Sequence, residues 1–457
     1  MRRVLFIDTT HSSIGGIGGR HARLAEASPR HGWETVFALT RGARFHDPDV
    51  YRRNLPPLDC VVMDARTGSS EGRRIAVEQA IRKVRADVVI PGPVVDAWVV
   101  LEQQKTFSGP RIVYDMPALT LNIASFVARH EAFIDAAFGV SPLTTRVLRN
   151  FCKVPDDRVF LVPTGVYIGR ETPPMVHHPI RLLYVGRFDS DKRPLDAIPF
   201  MEELRSREVE FTLTMIGSGE YTAELESLAR QSPDRLVLLP SQSPSRLYDE
   251  FYPEQDAIVL FSPAEGLPNA ILEGMSHGLV PITSDFKGRR ELGFLRDGET
   301  ALVFDIGDVR SAADKVMMLT RESTLKARIG GAARQLIIAE RSVETMTSEF
   351  VKVLEHSLAS PARLGMRPVV AFEGESRLRR LVGPRIAEGI RRLLGRSFAH
   401  PDASEWPLID SMQPENPVEA QASLHRILDR SSSESYMSTL STDSVRGELR
   451  KIDCEDA

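Results

Sequence analysis

Short apolar runs, each followed by a polar or glycine-containing loop, recur along most of the chain and constrain its fold more than any other feature. They span residues 3–8, 60–64, 87–91, 112–115 and 137–140 in the first half, and 181–186, 211–216, 256–261 and 278–283 in the second. Runs of this length are typical of strands that are buried on both faces of a parallel sheet. Helical stretches lie between them, so the sequence predicts an α/β protein with two doubly wound, Rossmann-like sheets.

The length of the chain and its changes in composition predict five segments. A chain of 457 residues favours two domains of about 170–180 residues followed by a tail. We predict an N-terminal domain over 1–165, a linker over 166–180, a C-terminal domain over 181–358, a basic amphipathic segment over 359–400 and a mostly disordered tail over 401–457.

Two carboxylates, Glu265 and Glu273, lie on either side of a predicted helix start that follows the run 256–261. A turn at Gly266 and a proline two residues later leave backbone N–H groups free at the positive end of the helix dipole. Such N–H groups suit a phosphate, and carboxylates suit sugar hydroxyls. Open α/β sheets bind ligands at the carboxyl ends of their strands, so this segment is a candidate binding site, with ordinary surface charge as the alternative.

Two further loops at predicted strand ends carry groups that fit the same kind of ligand. Arg187 and Lys192 follow Gly186, and two cations on one strand-to-helix loop can hold a diphosphate. Gly217 opens a second glycine-containing loop, Gly217-Ser218-Gly219-Glu220. The alternative is that the two cations only solvate a loop.

These pieces together resemble the retaining glycosyltransferases of the GT-B fold, the large group often called family four. The resemblance rests on Val185-Gly186-Arg187-Phe188 followed by Lys192, on Ile216-Gly217-Ser218-Gly219-Glu220, and on the E-x7-E signature from Glu265 to Glu273. It implies two Rossmann-like domains that face a cleft, with a basic and partly disordered C-terminal tail added here. It also implies transfer of a sugar from a nucleotide diphosphate to an acceptor.

The resemblance assigns a role to each matching residue. Arg187 and Lys192 would bind the donor diphosphate and stabilise its growing negative charge, and Glu265 would face the donor sugar. Glu273 would bind the ribose hydroxyls. The donor site would be completed by Gly186, Gly217, Gly266, Leu267 and Asn269. The cation pair would replace a metal ion, and no cofactor is expected beside the nucleotide-sugar substrate. Residues 288–291 depart from the family's Gly-Gly-x-Pro-Glu turn and receive no role.

The first half contributes weaker candidates. Gly16 and Gly18 belong to a glycine cluster between the first strand and a helix predicted from Arg20, and such glycines allow close backbone approach to phosphate. In the resembling family this loop lies near the donor phosphates and the acceptor, and the alternative is a flexible surface loop. Asp115 stands where the family often carries a histidine or a His-Asp pair. His11 and His130 are further candidates, with a surface or core role as the alternative.

Bulk composition limits the partners. The chain has 58 basic and 62 acidic residues, a net charge of −4, which does not indicate nucleic-acid binding. Its three cysteines are too few for a disulfide framework or a zinc site. The absence of a long apolar run or a signal-like start predicts a cytoplasmic protein. The arginine-rich stretch 377–396 predicts either peripheral contact with the inner face of a membrane or packing on the enzyme body.

The sequence therefore predicts a metal-independent, retaining glycosyltransferase that acts on a glycan, a lipid-linked acceptor or a small molecule, in cell-envelope or polysaccharide synthesis. Two alternatives from other classes stay open. One is a nucleotide-sugar epimerase of the same fold, and the other is a donor-binding protein without turnover. The donor base, the sugar and the acceptor are not specified by residues that the sequence identifies.

Overall fold

A computed structural model of the protein describes residues 1–10, 16–54, 58–105, 109–116, 119–363, 377–400 and 405–429. The chain divides into two compact units. The first contains Met1–Thr164 together with Met346–Arg430, and the second contains Gly165–Thr345. Each unit is built on one parallel sheet with helices between the strands, so the predicted α/β class with two Rossmann-like sheets is confirmed.

The first unit holds a seven-stranded sheet in the order β3-β2-β1-β4-β5-β6-β7. Its strands are β1 (Arg2–Asp8), β2 (Trp33–Arg41), β3 (Cys60–Asp64), β4 (Val88–Ile90), β5 (Arg111–Met116), β6 (Ala136–Gly139) and β7 (Val159–Leu161). Its connecting helices are α1 (Gly16–Ala27), α2 (Pro48–Asn54), α3 (Ser70–Val84), α4 (Val95–Lys105), α5 (Leu121–His130) and α6 (Pro142–Asn150). The chain builds outward from β1 and then returns to β4, so the strand order reverses between these two strands.

The second unit holds a six-stranded sheet in the order β10-β9-β8-β11-β12-β13. Its strands are β8 (Ile180–Val185), β9 (Phe211–Ile216), β10 (Leu236–Leu239), β11 (Ala257–Leu260), β12 (Val280–Ser284) and β13 (Leu302–Phe304). Its helices are α7 (Ala197–Ser206), α8 (Thr222–Gln231), α9 (Pro244–Arg246, continued by a π-helical turn to Phe251), α10 (Asn269–His277), α11 (Arg289–Leu292), α12 (Val309–Arg321) and α13 (Leu325–Glu340). Here the order reverses between β8 and β11.

The central strands of both sheets are apolar because helices cover both of their faces. Residues 4–7 of β1 are at most 1% exposed. The same holds for Ala257, Ile258 and Val259 of β11. Burial on both faces removes the alternation of polar and apolar residues that a half-exposed strand would show.

The helix α14 (Val343–Ala359) crosses the predicted domain boundary. From Met346 onward it belongs to the first unit, whereas the sequence placed residues up to 358 in the C-terminal domain. Phe350 packs against Phe6 and Phe138: its ring centroid lies 5.9 Å from that of Phe6 and 5.7 Å from that of Phe138. These contacts place the apolar face of α14 on the first sheet, so the predicted boundary differs from the structural one.

The C-terminal strap, which we define as residues 384–400 and 405–412, runs along the carboxyl-end edge of the first sheet. Its first anchor is Glu388 in α16 (Pro384–Leu393), which follows the short helix α15 (Arg377–Val382). The Glu388 carboxylate accepts hydrogen bonds from Thr67 at 2.7 Å and Ser69 at 2.6 Å, in the loop after β3. Glu388 is only 3% exposed, so this contact is part of the interior of the unit.

The strap then crosses the loops after β2, β4 and β5. Glu405 accepts hydrogen bonds from three consecutive backbone N–H groups, those of residues 43–45, at 2.8–2.9 Å. Trp406 is fully buried and donates from Nε1 to the Arg41 carbonyl at 3.2 Å. The backbone N–H of Ile409 donates to Pro93 O at 2.9 Å, and the strap ends at the N-terminal end of α5. The strap therefore meets the loops in the spatial order of their strands.

Glycines in the first half of the chain make room for the strap. A Cβ atom at Gly42 would lie 2.0 Å from Glu405 Oε2. One at Gly68, whose φ is +69°, would lie 2.7 Å from Phe398 O. Both loops are therefore shaped to the strap, as expected for a permanent element of the unit.

The predicted disordered tail differs from the structure over residues 405–429. This stretch contains the end of the strap and the helix α17 (Pro417–Asp429), which contacts α5 and α6. Trp406, Ile409 and Leu424 are buried there, and these three apolar anchors are sparse within a polar sequence. Residues 401–404 and 430–457 of the predicted tail lie outside the described residues. No helix in the described ranges is both long and apolar enough to cross a membrane.

Substitution Glu405→Ala should lower the free energy of unfolding by roughly 2–4 kcal/mol, because three backbone N–H groups lose a buried, charged acceptor. Thermal unfolding followed by circular dichroism measures the change. Glu415→Ala is the matched control, since the Glu415 side chain is 85% exposed and lies 3.7 Å from Arg129. Equal stability of Glu405→Ala and Glu415→Ala would contradict the role of the strap as an integral element.

Candidate active site

The candidate site of the second unit lies where the strand order of its sheet reverses. The adjacent central strands β8 and β11 lead respectively into the loop that carries Arg187 and Lys192 and the loop that carries Glu265. Open α/β sheets bind ligands in the crevice at such a reversal, outside the carboxyl ends of the strands. The sequence located the strand ends, but only the strand order makes these two loops neighbours.

Lys192 and Glu265 are in direct contact. Lys192 Nζ lies 2.8 Å from Glu265 Oε1, and the two side chains are 21% and 8% exposed. Tyr184 lies close by, since burial and the Glu265 carboxylate both raise the pKa of its hydroxyl. The same hydroxyl donates to the Arg187 carbonyl at 3.0 Å. The cationic loop and the acidic loop therefore share one partly enclosed location.

Arg187 is held by two aspartates of its own loop. Its guanidinium pairs with Asp189 and, at 2.6 Å, with Asp191, and its side chain is 59% exposed. These aspartates were not predicted as site residues from the sequence, although their spacing from Arg187 was a readable signal. The structure therefore shows an arginine whose charge is locally balanced, and an incoming anion would compete with two carboxylates for it.

The loop after β9 is bonded to the loop after β8. The Glu220 N–H donates to Asp189 Oδ1 at 3.0 Å, and the Ser190 N–H donates to Glu220 Oε1 at 2.5 Å. A Cβ atom at Gly217 would lie 1.9 Å from Gly186 O. The absence of a side chain at Gly217 thus allows the loops to pack on each other. This contact accounts for Gly217 without the nucleotide that the resemblance implied.

Glu273 projects from α10 and is paired with a buried tyrosine. The Tyr252 hydroxyl donates to Glu273 Oε2 at 2.8 Å. Burial and the Glu273 carboxylate raise the pKa of Tyr252 well above its ordinary value, so this hydroxyl remains a donor. Tyr252 follows the π-helical turn that ends at Phe251, and such turns are frequent at functional sites. Sequence reasoning missed Tyr252 because no local spacing links it to Glu273.

The start of α10 lies where the sequence predicted a helix start. Pro268 occupies the N-cap position and Asn269 is the first helical residue, without a side-chain capping bond. Asn269 Oδ1 is shielded from solvent and has no hydrogen-bond partner among the described residues. Gly266 is exposed, and a Cβ atom there would meet nothing within 4 Å. Leu267 packs against the apolar core, so open space at this loop lies beside Gly266.

In the first unit, Asp115 belongs to a buried charged cluster. It pairs with Arg20, and His21 Nε2 lies 2.8 Å from its Oδ2. His21 Nδ1 lies 3.5 Å from Asp8 Oδ2 at the end of β1. Sequence reasoning found Asp115 but missed Arg20, His21 and Asp8. The dipeptide Arg20-His21 directly after the glycine cluster was the available signal.

The glycine cluster itself is partly helical. Because α1 begins at Gly16, both Gly16 and Gly18 lie in its first turn, whereas the sequence predicted a loop up to Arg20. His11 lies outside the described residues. His130 is 1% exposed, pairs with Glu102 and stacks on Phe126 at 4.1 Å, so it has the core role that was the alternative for it.

The charges of the cluster stabilise one another. Burial alone would lower the pKa of His21, but its contacts with Asp115 and Asp8 raise it above the ordinary value. Burial alone would raise the pKa of Asp115, but the charge of Arg20 and the contacts with His21 lower it. The cluster therefore favours an ionised aspartate beside a protonated histidine.

Comparison with known proteins shows what the stretch that carries this site is similar to. Residues 170–336 match the family described as "Glycosyl transferases group 1". The chain is 27% identical over 144 residues to the lipopolysaccharide core biosynthesis glycosyltransferase LpsE of Rhizobium meliloti, which covers 31% of this chain and 41% of that protein. It is 23% identical over 171 residues to N-acetyl-alpha-D-glucosaminyl L-malate synthase of Bacillus anthracis. This match covers 37% of this chain and 43% of that protein. The chain thus spans less than half the length of these curated relatives.

Solved structures match a larger part of the chain. A glycosyltransferase from Rickettsia africae superimposes with a TM-score of 0.63 at 15% identity, covering 79% of this chain and 99% of the other. The Anabaena protein HepE, in complex with UDP and glucose, superimposes with a TM-score of 0.60 at 13% identity. This match covers 78% of this chain and 100% of the HepE chain. The fold is therefore the GT-B fold, as the resemblance implied. The stretch 170–336 is thus similar to group 1 glycosyl transferases, and LpsE and the Rickettsia protein are named as glycosyltransferases.

The buried cluster predicts how stability depends on pH. A histidine whose pKa is raised on folding stabilises the protein fully below its unfolded pKa of about 6.5, and this contribution is lost as pH rises through the folded value. Near pH 6, the unfolding temperature of the wild type should therefore be higher than that of His21→Gln by roughly 2–4 °C. At pH values above the folded pKa of His21, the difference between the two unfolding temperatures should be smaller. The matched control is His178→Gln, since the His178 side chain is 86% exposed. If the difference in unfolding temperature between wild type and His21→Gln grew with pH, the predicted direction of the pH dependence would be wrong.

Proposed function

We propose that the protein is a retaining glycosyltransferase that moves a sugar from a nucleotide diphosphate to an acceptor. The observation that carries the proposal is the contact between Lys192 and Glu265 at the reversal of the second sheet, within the stretch 170–336 that matches the family. A cation and a carboxylate at one strand edge can bind the two parts of a sugar diphosphate, its phosphates and its hydroxyls.

In the proposed reaction, Lys192 and Arg187 stabilise the negative charge that grows on the diphosphate as the glycosidic bond breaks. Each of these cations is paired with carboxylates in the structure, so donor binding exchanges those partners for phosphate oxygens. Glu265 then becomes available to the donor sugar, while Glu273, fixed by Tyr252, accepts hydrogen bonds from the ribose hydroxyls.

Retention of configuration follows if the departing diphosphate accepts the proton of the acceptor on the same face of the sugar. The acceptor oxygen then bonds to the anomeric carbon as the bond to the diphosphate oxygen breaks. This route requires leaving-group stabilisation and no protein nucleophile. The cationic pair Arg187 and Lys192 supports it, and the same pair is the reason for proposing that the reaction needs no metal ion.

The partners in the proposal are a nucleotide sugar, an acceptor and a membrane surface contacted through residues 377–396. HepE was solved with UDP-glucose, and the names of LpsE and of the Staphylococcus aureus protein CapM place those proteins in lipopolysaccharide and capsular polysaccharide biosynthesis. These relatives support a role for this chain in cell-envelope or polysaccharide synthesis.

Donor binding provides the main test. A panel of nucleotide sugars should contain one that raises the unfolding temperature, because a ligand that binds only the folded state stabilises it. Each of three substitutions should lower the affinity for that donor by about 10- to 100-fold, since each removes a charged hydrogen-bonding group. They are Lys192→Met, Arg187→Ala and Glu273→Gln. Isothermal titration calorimetry measures the loss.

Lys315→Met is the matched control for Lys192→Met, because Lys315 is 19% exposed and pairs with Asp297 in the same unit. Unchanged donor affinity in Lys192→Met, Arg187→Ala and Glu273→Gln would refute the assigned roles. Product analysis then distinguishes the activity from its alternatives: a glycosylated acceptor with the donor configuration supports the proposal, whereas an epimerised donor or binding without product contradicts it.

Metal independence has its own measurement. The protein is treated with EDTA, the chelator is removed, and turnover of the donor is then measured. Turnover should equal that of the untreated protein, because Arg187 and Lys192 supply the positive charge at the diphosphate. A loss of turnover that Mg²⁺ or Mn²⁺ restores would mean that a metal ion contributes that charge.

A further inference from the structure

The strap and the short helix before it carry an unusual concentration of exposed apolar side chains. Five of the large apolar side chains that are exposed among the described residues lie within 381–398: Leu381, Ile386, Leu393, Leu394 and Phe398. Their exposed fractions range from 51% for Phe398 to 88% for Leu393. Large apolar patches rimmed by polar groups mark interaction sites on soluble proteins.

The helix α16 separates its anchoring side from its outward side. Ala387, Glu388 and Arg391 are buried against the first unit. With about 100° between successive residues, Arg385 and Arg392 fall side by side on the outward surface, next to Ile386 and Leu393. The outward surface thus consists of an arginine stripe beside an apolar stripe.

The outward surface is basic because its carboxylate is turned inward. Glu388 is the sole acidic residue between 384 and 400, and its carboxylate is bonded to Thr67 and Ser69. Arg385 lies 3.4 Å from the Glu78 carboxylate, and its side chain remains 64% exposed. Arg392 lies 3.3 Å from the Glu388 carboxylate, and its side chain remains 51% exposed. Arg396 follows on the exposed turn after α16.

We propose that this outward surface of residues 381–398, the basic apolar face, docks the protein onto an anionic lipid bilayer. Apolar side chains of this kind enter the acyl boundary, and arginines beside them pair with lipid phosphates at the headgroup level. Leu393, Leu394 and Phe398 lie on either side of the turn at Gly395, and all three side chains are exposed.

A bilayer fits this face better than a protein partner does. A bilayer supplies a uniform negative potential to every arginine of the face. A protein partner would need acidic groups matched to each arginine and an apolar surface matched to each protruding side chain. The strap is also fixed to the first unit through buried Glu388, Glu405 and Trp406, so the face is attached to that unit.

The position of the face has a consequence for the acceptor, and this step rests on the proposed function. The strap lies along the carboxyl-end edge of the first sheet, the edge at which such sheets bind ligands. A bilayer docked on the strap would therefore lie beside that edge. The acceptor class that fits is an amphiphile whose lipid part stays in the membrane while its polar end is glycosylated.

Vesicle flotation tests the docking without requiring activity, so its failure is distinct from failure of the proposed function. The full-length protein is mixed with vesicles of phosphatidylcholine alone or of equal parts phosphatidylcholine and phosphatidylglycerol. We expect flotation with the anionic vesicles only, with binding that falls at high salt. Arg385→Gln/Arg392→Gln/Arg396→Gln and Leu393→Ser/Leu394→Ser should each lower the bound fraction about tenfold or more.

Matched controls use surface groups of the second unit. Arg170→Gln/Arg246→Gln/Arg290→Gln removes three exposed arginines that also contact carboxylates. Met175→Ser/Met318→Ser removes two exposed apolar side chains. Both controls should float like wild type. Wild type that stays unbound with anionic vesicles, or controls that lose binding as strongly as the strap variants, would overturn the proposal, and the first outcome would leave a protein partner as the occupant.

Discussion

An ion pair between residues 73 positions apart is the contact on which the candidate site depends. Lys192 and Glu265 meet at 2.8 Å because β8 and β11 are neighbours in a sheet whose order reverses between them. With Glu265 only 8% exposed, removal of the lysine would leave a largely buried carboxylate without its cation. The pair therefore fixes the two loops in the structure, and the proposed donor would replace one charge interaction by another.

Positioning groups surround this pair, and they follow the same logic. Tyr184 bonds to the Arg187 carbonyl, two aspartates hold the Arg187 guanidinium, and Tyr252 fixes Glu273. In the first unit, Asp115 is fixed in the same way by Arg20 and His21. Charged groups that are partnered before a ligand arrives lose little freedom on binding, which is the physical advantage of a preformed site.

Much of the fold could be predicted from the sequence, and the deviations have physical causes. The strands β1, β9 and β11 were recognisable because burial on both faces leaves uninterrupted apolar runs. The end of the C-terminal strap, residues 405–412, was missed because its anchors are few: one carboxylate that accepts three N–H groups and one buried tryptophan do not change the polar composition of the segment. The helix start at Gly16 was missed because glycine has a low helix propensity.

The sequence by itself determined the two-sheet α/β class and the residue types that follow the strands: Arg187 and Lys192 on one loop, Glu265 on another, and Glu273 in the helix after it. These features are local, since they depend on apolar runs and on the residues that directly follow them. The tertiary structure alone decided which side chains meet: Lys192 with Glu265, Tyr252 with Glu273, His21 with Asp115, and the strap with the loops of the first sheet. Strand order and burial bring these groups together from distant positions, and no local pattern encodes such contacts.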